Sequence, residues 1–441
     1  MSSSATNAAT RTAAANLPTV SEFLKSLQEQ QQDQQQQPPI TSVSLGNPAG
    51  DADSIISAIA LAYIDSVPAQ SSPKTVLPII SIPHDDLKRQ RPETKYLLEL
   101  AGIDMDDLVA IDSPSLPCKA SATLVDHNRL TFQHPDNKCQ WEVTQILDHH
   151  LDEGAHLETC PASTNEEQQD QEQRVVAFCS SSQKALVAST CTLLVERFLA
   201  RHSGQPFPPS LSILLLGVIL LDSINMSPKA GKGTERDRLA LEQLQQQTNW
   251  ESLDLPLEIL MKEASSKKQP NHQQLFDTLQ NQKFHPDFWN SLTALQALKL
   301  DYKRFSPTGG NNNINFGVST VLQTMSDFVH KEGLLDTIQS NYGSSSDLEF
   351  FAVMFFSVDG DDTPKRQMML ASENVDLVND LITFLMQEGS LQLQQVEETF
   401  PKGTNDMSLN VVYLEQGNAR ASRKQVAPIL MDYFKDTKSE L

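Results

Sequence analysis

An α/β fold with a mostly parallel sheet is predicted by three observations. Short apolar strand runs alternate with apolar helical runs from residue 41 to residue 201, the pattern of βαβ units. Acidic or histidine-bearing islands lie next to apolar runs at Asp51 and Asp53, at Asp126 and His127, at Asp148, His149 and His150, and at Asp222. Ligand sites of open parallel sheets lie at the carboxyl ends of strands, where Asp51, Asp53, Asp126 and Asp148 then fall.

In chain order, residues 1–40 read as a disordered, or at most loosely helical, Gln-rich tail, because EQQQDQQQQPP is low in complexity and buries almost nothing. A strand over 41–46 enters a turn, and SIISAIALAYI (54–64) is a buried helix. A strand with a proline follows at 76–82 and a helix at 95–101. Strands at 122–125 and 143–147 each end on an island, and residues 189–201 form a helix with apolar residues at helical spacing. NEEQQDQEQ makes 155–173 an exposed insertion. After a Gln-rich helix at 239–247, a second, smaller α/β domain is expected over 255–441, with a strand at 350–358, a helix at 375–386 and a strand at 409–414. The first domain then spans 41–240. Residues 309–313 and 343–346 are loops.

The chain has 441 residues and a net charge of −22. That balance argues against a broad nucleic-acid surface but leaves room for a small cationic site. None of the five cysteines stands in a CxxC or zinc spacing, so they read as free thiols of a reducing, cytoplasmic setting. Residues 1–20 lack the apolar centre of a secretory signal; their Ala, Ser and Thr content leaves a mitochondrial transit segment as the alternative. The longest apolar run, 211–221, is too short to span a bilayer.

Each island alone has a plainer reading. Asp51 or Asp53 can simply cap a helix, Asp126 can be a turn residue, His149 and His150 can be surface residues, and Asp222 can bond to backbone. Together they suggest one dinuclear metal centre, of the kind that activates water for phosphate ester or anhydride hydrolysis.

The segments GNPAGDADS (46–54), LVDHN (124–128), ILDHH (146–150) and LLDSIN (220–225) resemble, in order, the motifs of the DHH phosphoesterase superfamily. The branch they resemble is that of eukaryotic exopolyphosphatases and Prune-type proteins, with family II inorganic pyrophosphatases as relatives. PKAGKGT (228–234) with Asp237, and RPET (91–94), also look like that branch. LDYK (300–303) and ASRKQVAP (421–428) resemble the second type of DHH-associated domain.

The resemblance implies a parallel-sheet DHH domain, a type 2 DHH-associated domain and an active site in the cleft between them. Asp51, Asp53, Asp126, His149 and Asp222 would hold two divalent ions, Mg²⁺ or Mn²⁺ with Co²⁺ as a further option, and Asp126 would bridge them. His150 would contact the terminal phosphate, His127 would support Asp126, and Asp148 would orient His149 or the turn. Lys303, Arg423 and Lys424 would hold phosphates from the second domain, with Arg91 as further lining. Asn47 stands where the pyrophosphatases carry a histidine ligand, which makes one ion site weaker or more open and points to longer polyphosphate. The implied activity is an exopolyphosphatase that removes terminal phosphate from inorganic polyphosphate with metal-activated water. The alternatives are a short-chain polyphosphatase or pyrophosphatase, or a Prune-like phosphodiesterase with a regulatory, protein-binding role. Neither nucleic acid nor membrane is expected as a partner.

Overall fold

Strand order explains where a site can form. In the computed structural model the first domain contains β1 (Ser42–Leu45), β2 (Leu77–Ile80), β3 (Val109–Ala110), β4 (Lys119–Val125), β5 (Gln140–Asp148) and β6 (Arg174–Val176). They lie in the order β3-β2-β1-β4-β5-β6, and every pairing is parallel. Chain direction across the sheet reverses between β1 and β4, so a crevice opens beyond their carboxyl ends. The structure describes residues 17–32, 40–67, 75–132, 140–161, 173–260, 269–306, 315–343, 347–358, 363–396, 400–401 and 408–436.

The helices of this domain are α1 (Val20–Gln32), α2 (Ala52–Ser66), α3 (His84–Gln90), α4 (Pro92–Leu100), α5 (Thr190–Arg201), α6 (Pro209–Ser223), α7 (Glu235–Gln247) and α8 (His272–Phe284). All four residues of β1 are buried, as expected of a parallel strand covered on both faces. Helix α6 is buried over almost its whole length. Gly217 allows close approach there, since a Cβ would collide with Leu97 of α4. A small hairpin, β7 (Phe178–Cys179) and β8 (Lys184–Ala185), precedes α5.

Two expectations are corrected. The N-terminal segment is not a loose tail throughout: α1 buries Val20, Phe23, Leu24 and Leu27 in the first core, and Tyr63 stacks edge-on against Phe23. The apolar residues that drive this precede the glutamine run, whose composition dominates the segment. Residues 1–16 and 33–39 lie outside the described residues. The first domain also extends past residue 255, because Leu255, Ile259, Leu275, Phe276 and Leu279 share its core. The second cores begin at Trp289.

The second domain contains α9 (Pro286–Ser291), α10 (Ala294–Leu300), β9 (Tyr302–Phe305), β10 (Phe316–Val321), α11 (Met325–Phe328), α12 (Leu334–Tyr342), β11 (Phe350–Val358), β12 (Pro364–Ser372), α13 (Val375–Gln387), β13 (Leu393–Gln395), β14 (Asn410–Gln416) and α14 (Arg423–Asp436). Its sheet runs β13-β14-β12-β11-β10-β9. Only β10 and β11 pair in parallel; the other neighbours are antiparallel. Apolar clusters fill both faces. The 309–313 loop, and most of the expected insertion around 165 and of the 343–346 loop, fall outside the described residues. Among the described residues, no helix is long and apolar enough to cross a membrane.

Candidate metal and phosphate site

The loop after β1 carries the first carboxylates. Asp51 caps α2, its Oδ1 accepting the Ser54 N–H at 3.0 Å. Asp53, in the first turn, is buried. Its Oδ1 accepts from Ser189 Oγ (2.7 Å), the Cys191 N–H (3.2 Å) and Ser57 Oγ (3.2 Å), and its Oδ2 accepts the Thr190 N–H (2.9 Å). The N-terminus of α5 therefore holds this side chain, as helix N-termini hold anions.

Asp126 follows β4 with φ of 61°, a left-handed backbone that a non-glycine residue adopts at some energetic expense. Asn47 Nδ2 (2.5 Å) and Ser54 Oγ (2.6 Å) both donate to its Oδ2. Its Oδ1 is left 3.4 Å from His149 Nε2 and 3.5 Å from His150 Nδ1. Asp126, His149 and His150 form a group compact enough to hold one ion.

Asp148, at the end of β5, is fully buried. Its Oδ1 accepts the backbone N–H groups of His149 (2.8 Å) and His150 (3.2 Å) and His150 Nδ1 (2.8 Å). Asn128 Nδ2 donates to Oδ2 at 2.6 Å. His150 thus carries its proton on Nδ1, so the nitrogen open to a ligand is Nε2. His149 Nδ1 donates to the Val187 carbonyl at 3.2 Å. That bond leaves the Nε2 lone pair facing Asp126 and Asp53, whose Oδ2 is 3.7 Å away, the support expected behind a metal-ligating histidine.

The electrostatics match a cation-binding cluster. Burial, then Asp53 and Asp51, push the Asp126 carboxyl well above the ordinary range. Burial, Asp53 and Asp51 likewise push Asp222 up to about 8. Burial also opposes ionisation of Asp51, but Lys303, the Ser54 N–H, Arg91 and Lys283 together hold it low. Burial and the cations Lys303 and Lys424 keep His150 neutral, and burial and Lys424 lower His149. Asp222, in the last turn of α6, has an Oδ2 that is buried without a hydrogen-bond partner. Carboxylates this crowded ionise together only when positive charge sits among them. The Lys424 ammonium already lies 3.4 Å from His149 Nε2, a stand-in for such a charge. Oxygen and imidazole donors with an orphaned carboxylate oxygen fit hard or borderline divalent ions.

Helix α6 ends beside Asp222 in three consecutive positive-φ residues, Ile224, Asn225 and Met226. The turn leads to Lys232. Its ammonium is pushed down to about 8 by desolvation and by Lys424, with Arg366 and Lys283 adding to the effect. Neither Lys232 nor Lys283 stands out as a site residue from sequence, although Lys232 belongs to the 228–234 motif.

Three expected roles differ in the structure. Asn47 donates to Asp126, and its oxygen accepts the Ala49 N–H at 2.8 Å, so it scaffolds the aspartate. His127 Nδ1 bonds to the Val125 carbonyl at 3.0 Å, and the groups that support the Asp126 carboxylate are Asn47 and Ser54. Arg91 is buried and donates to the carbonyls of Ala49, Gly50 and Leu300, so its guanidinium is engaged by backbone instead of lining the cleft for phosphate. From the second domain, Lys303 influences Asp51 and Asp126. Arg423 grips Asp301 through its carbonyl (2.6 Å) and Oδ1 (2.7 Å).

Comparison with known proteins agrees with this architecture. Residues 278–433 match the DHHA2 domain. The chain is 27% identical over 398 residues to human Exopolyphosphatase PRUNE1, covering 88% of this chain and 75% of that one. It is 27% identical over 424 residues to a putative exopolyphosphatase of Schizosaccharomyces pombe, covering 91% and 93%. The fold is similar to that of a Methanococcus jannaschii putative family II inorganic pyrophosphatase, with a TM-score of 0.53 at 19% identity, over 88% of this chain and 98% of that chain. The chain thus joins a parallel sheet, with carboxylates and histidines at its switch point, to a DHHA2 domain. It carries that DHHA2 domain in its second half and is similar along most of its length to proteins named as exopolyphosphatases.

Proposed function

We propose that the protein is a metal-dependent exopolyphosphatase that releases the terminal phosphate of inorganic polyphosphate. The observation that carries this reading is the pairing of a carboxylate-histidine cluster in one domain with the Lys303 and Lys424 cations of the other. Asp51, Asp53, Asp126, His149 and Asp222 are the residues that would hold two divalent ions. Such ions, when bound, polarise phosphoryl oxygens and make water a strong nucleophile near neutral pH.

The chain's own groups do the rest. Asn47 and Ser54 fix Asp126 by one oxygen, leaving Oδ1 directed to the histidines. Asp148 fixes the turn and the tautomer of His150, which leaves Nε2 as the nitrogen available to a terminal phosphate. Lys303 and Lys424 neutralise charge on the phosphate and on the departing oxygen. Arg423 reaches this face through Asp301 and braces the segment that carries Lys303. A cytoplasmic setting is in keeping with the free thiols of the described cysteines, Cys118, Cys160, Cys179 and Cys191.

The test is phosphate release from pyrophosphate, tripolyphosphate and long-chain polyphosphate, with Mg²⁺, Mn²⁺ and Co²⁺ in parallel. Fast release from long chains with little pyrophosphate cleavage is the expected result. Preference for pyrophosphate or the shortest chains moves the assignment to a short-chain enzyme. No release from any substrate overturns the hydrolytic reading in favour of a regulatory role.

A further inference from the structure

Arg91 occupies the junction between α3 and α4, where Pro92 disfavours helical backbone in the residue before it. Its φ and ψ are −132° and 64°, and this break turns a buried guanidinium towards two separate segments. On one side Nε donates to the Gly50 carbonyl at 2.5 Å, and Nη2 donates to the Ala49 carbonyl. Those carbonyls lie immediately before Asp51. On the other side Nη2 donates to the carbonyl of Leu300, the last residue of α10 in the second domain. The next residue, Asp301, is the one Arg423 grips, and Lys303 lies two positions further along in β9.

We propose that Arg91 is an interdomain latch that fixes the second domain over the Asp51 loop and so positions Lys303 and Arg423 at the cleft. It is a positioning residue, with Nε and Nη2 committed to backbone carbonyls. Two features set it apart from the Lys424–His149 link across the same cleft. That link uses an imidazole nitrogen a cation would claim, so it breaks when the site is filled. The acceptors of Arg91 are backbone carbonyls and stay available in every state. The planar guanidinium fork can also serve several carbonyls at once, which a lysine ammonium on a flexible stem does poorly.

The consequence is a population effect. If only a fraction of molecules is closed, apparent affinity falls by that fraction, while saturating substrate still draws the domains together. Arg91→Met in the full chain is therefore expected to raise KM for tripolyphosphate by about tenfold or more with kcat within about twofold. Arg91→Lys should fall between Arg91→Met and wild type. Small-angle X-ray scattering of the metal-free proteins should show a larger radius of gyration for Arg91→Met. A purely structural role would lower the active fraction, giving reduced kcat at constant KM, and that result overturns the proposal. An unchanged radius of gyration overturns it too. Where Arg91→Met does not fold, Arg91→Lys, which keeps the buried charge, is read by the same criteria. The inference rests on the hydrolase reading for its kinetic arm alone. A wild-type protein without turnover refutes that reading, and the scattering comparison then decides the latch by itself.

Discussion

Asp148→Asn isolates the role of one buried carboxylate. An asparagine can still accept the His149 and His150 N–H groups through its oxygen, but its NH2 then faces the Asn128 NH2 across the 2.6 Å contact of the wild type. Asn128 cannot rotate freely to relieve this, because its Nδ2 also donates to the Leu151 carbonyl at 3.0 Å and its Oδ1 accepts the Glu153 N–H at 2.8 Å. A donor is left facing a donor, and the bonds to Oδ1 lose their charge. Bonds to a charged acceptor contribute about 1.5–3 kcal/mol each, so a loss on the order of 3 kcal/mol in folding stability is expected. Disturbing a group that orients metal-site residues lowers activity about 10–100-fold. Since Asp148 holds both histidines of the turn, the upper end is expected, about 2.7 kcal/mol in the barrier at ~100-fold. Burial opposes ionisation of Asp148, but the His150 bond and charge, His149 and Asn128 hold its carboxyl far below the ordinary range. Its stabilisation is therefore present above the unfolded value of about 3.9 and is lost as pH falls towards the folded value. Urea unfolding of chelator-treated proteins should show a full gap between wild type and variant at pH 7 that narrows below about pH 4. Wild-type phosphate release together with an unchanged unfolding midpoint would refute the reasoning.

Other substitutions test the neighbouring claims. Asp222→Asn removes a carboxyl that crowding raises to about 8. Without metal, wild type loses stability from this group as pH rises from about 4 towards 8. The variant should then melt at a higher temperature than wild type at pH 7 in chelator, yet bind Mn²⁺ more weakly by calorimetry; lower stability without metal contradicts the crowding argument. Arg423→Ala should raise KM about tenfold with a smaller change in kcat, and unchanged steady-state constants remove Arg423 from the site. Leu24→Ala should cost about 2–4 kcal/mol in urea unfolding, because Leu24 is 2% exposed within the first core; no change would return α1 to the status of a tail.

Much of the site is legible in the residues themselves. Asp126, His149 and His150 declare themselves because they follow apolar strand runs, and Asp51 and Asp53 because they stand in the turn that opens an apolar helix. Arg91 escapes such a reading because a charged stretch looks solvent-facing, and nothing local indicates that three carbonyls from two domains converge on it. Asn47 reads as an oxygen ligand because composition does not say which end of an amide faces the cleft. The neighbouring Ala49 N–H and Asp126 carboxylate decide that orientation together.

By itself, then, the sequence determined the α/β class and the strand ends, and it singled out the ionisable residues beside them, since these follow from local periodicity and residue chemistry. Tertiary structure alone decided which carboxylates crowd one another, which histidine nitrogen carries its proton, where the first core ends, and how Arg91 bridges the domains. Those properties depend on distances between segments far apart in the chain, and burial converts such distances into pKa shifts and unsatisfied bonds that no local pattern contains.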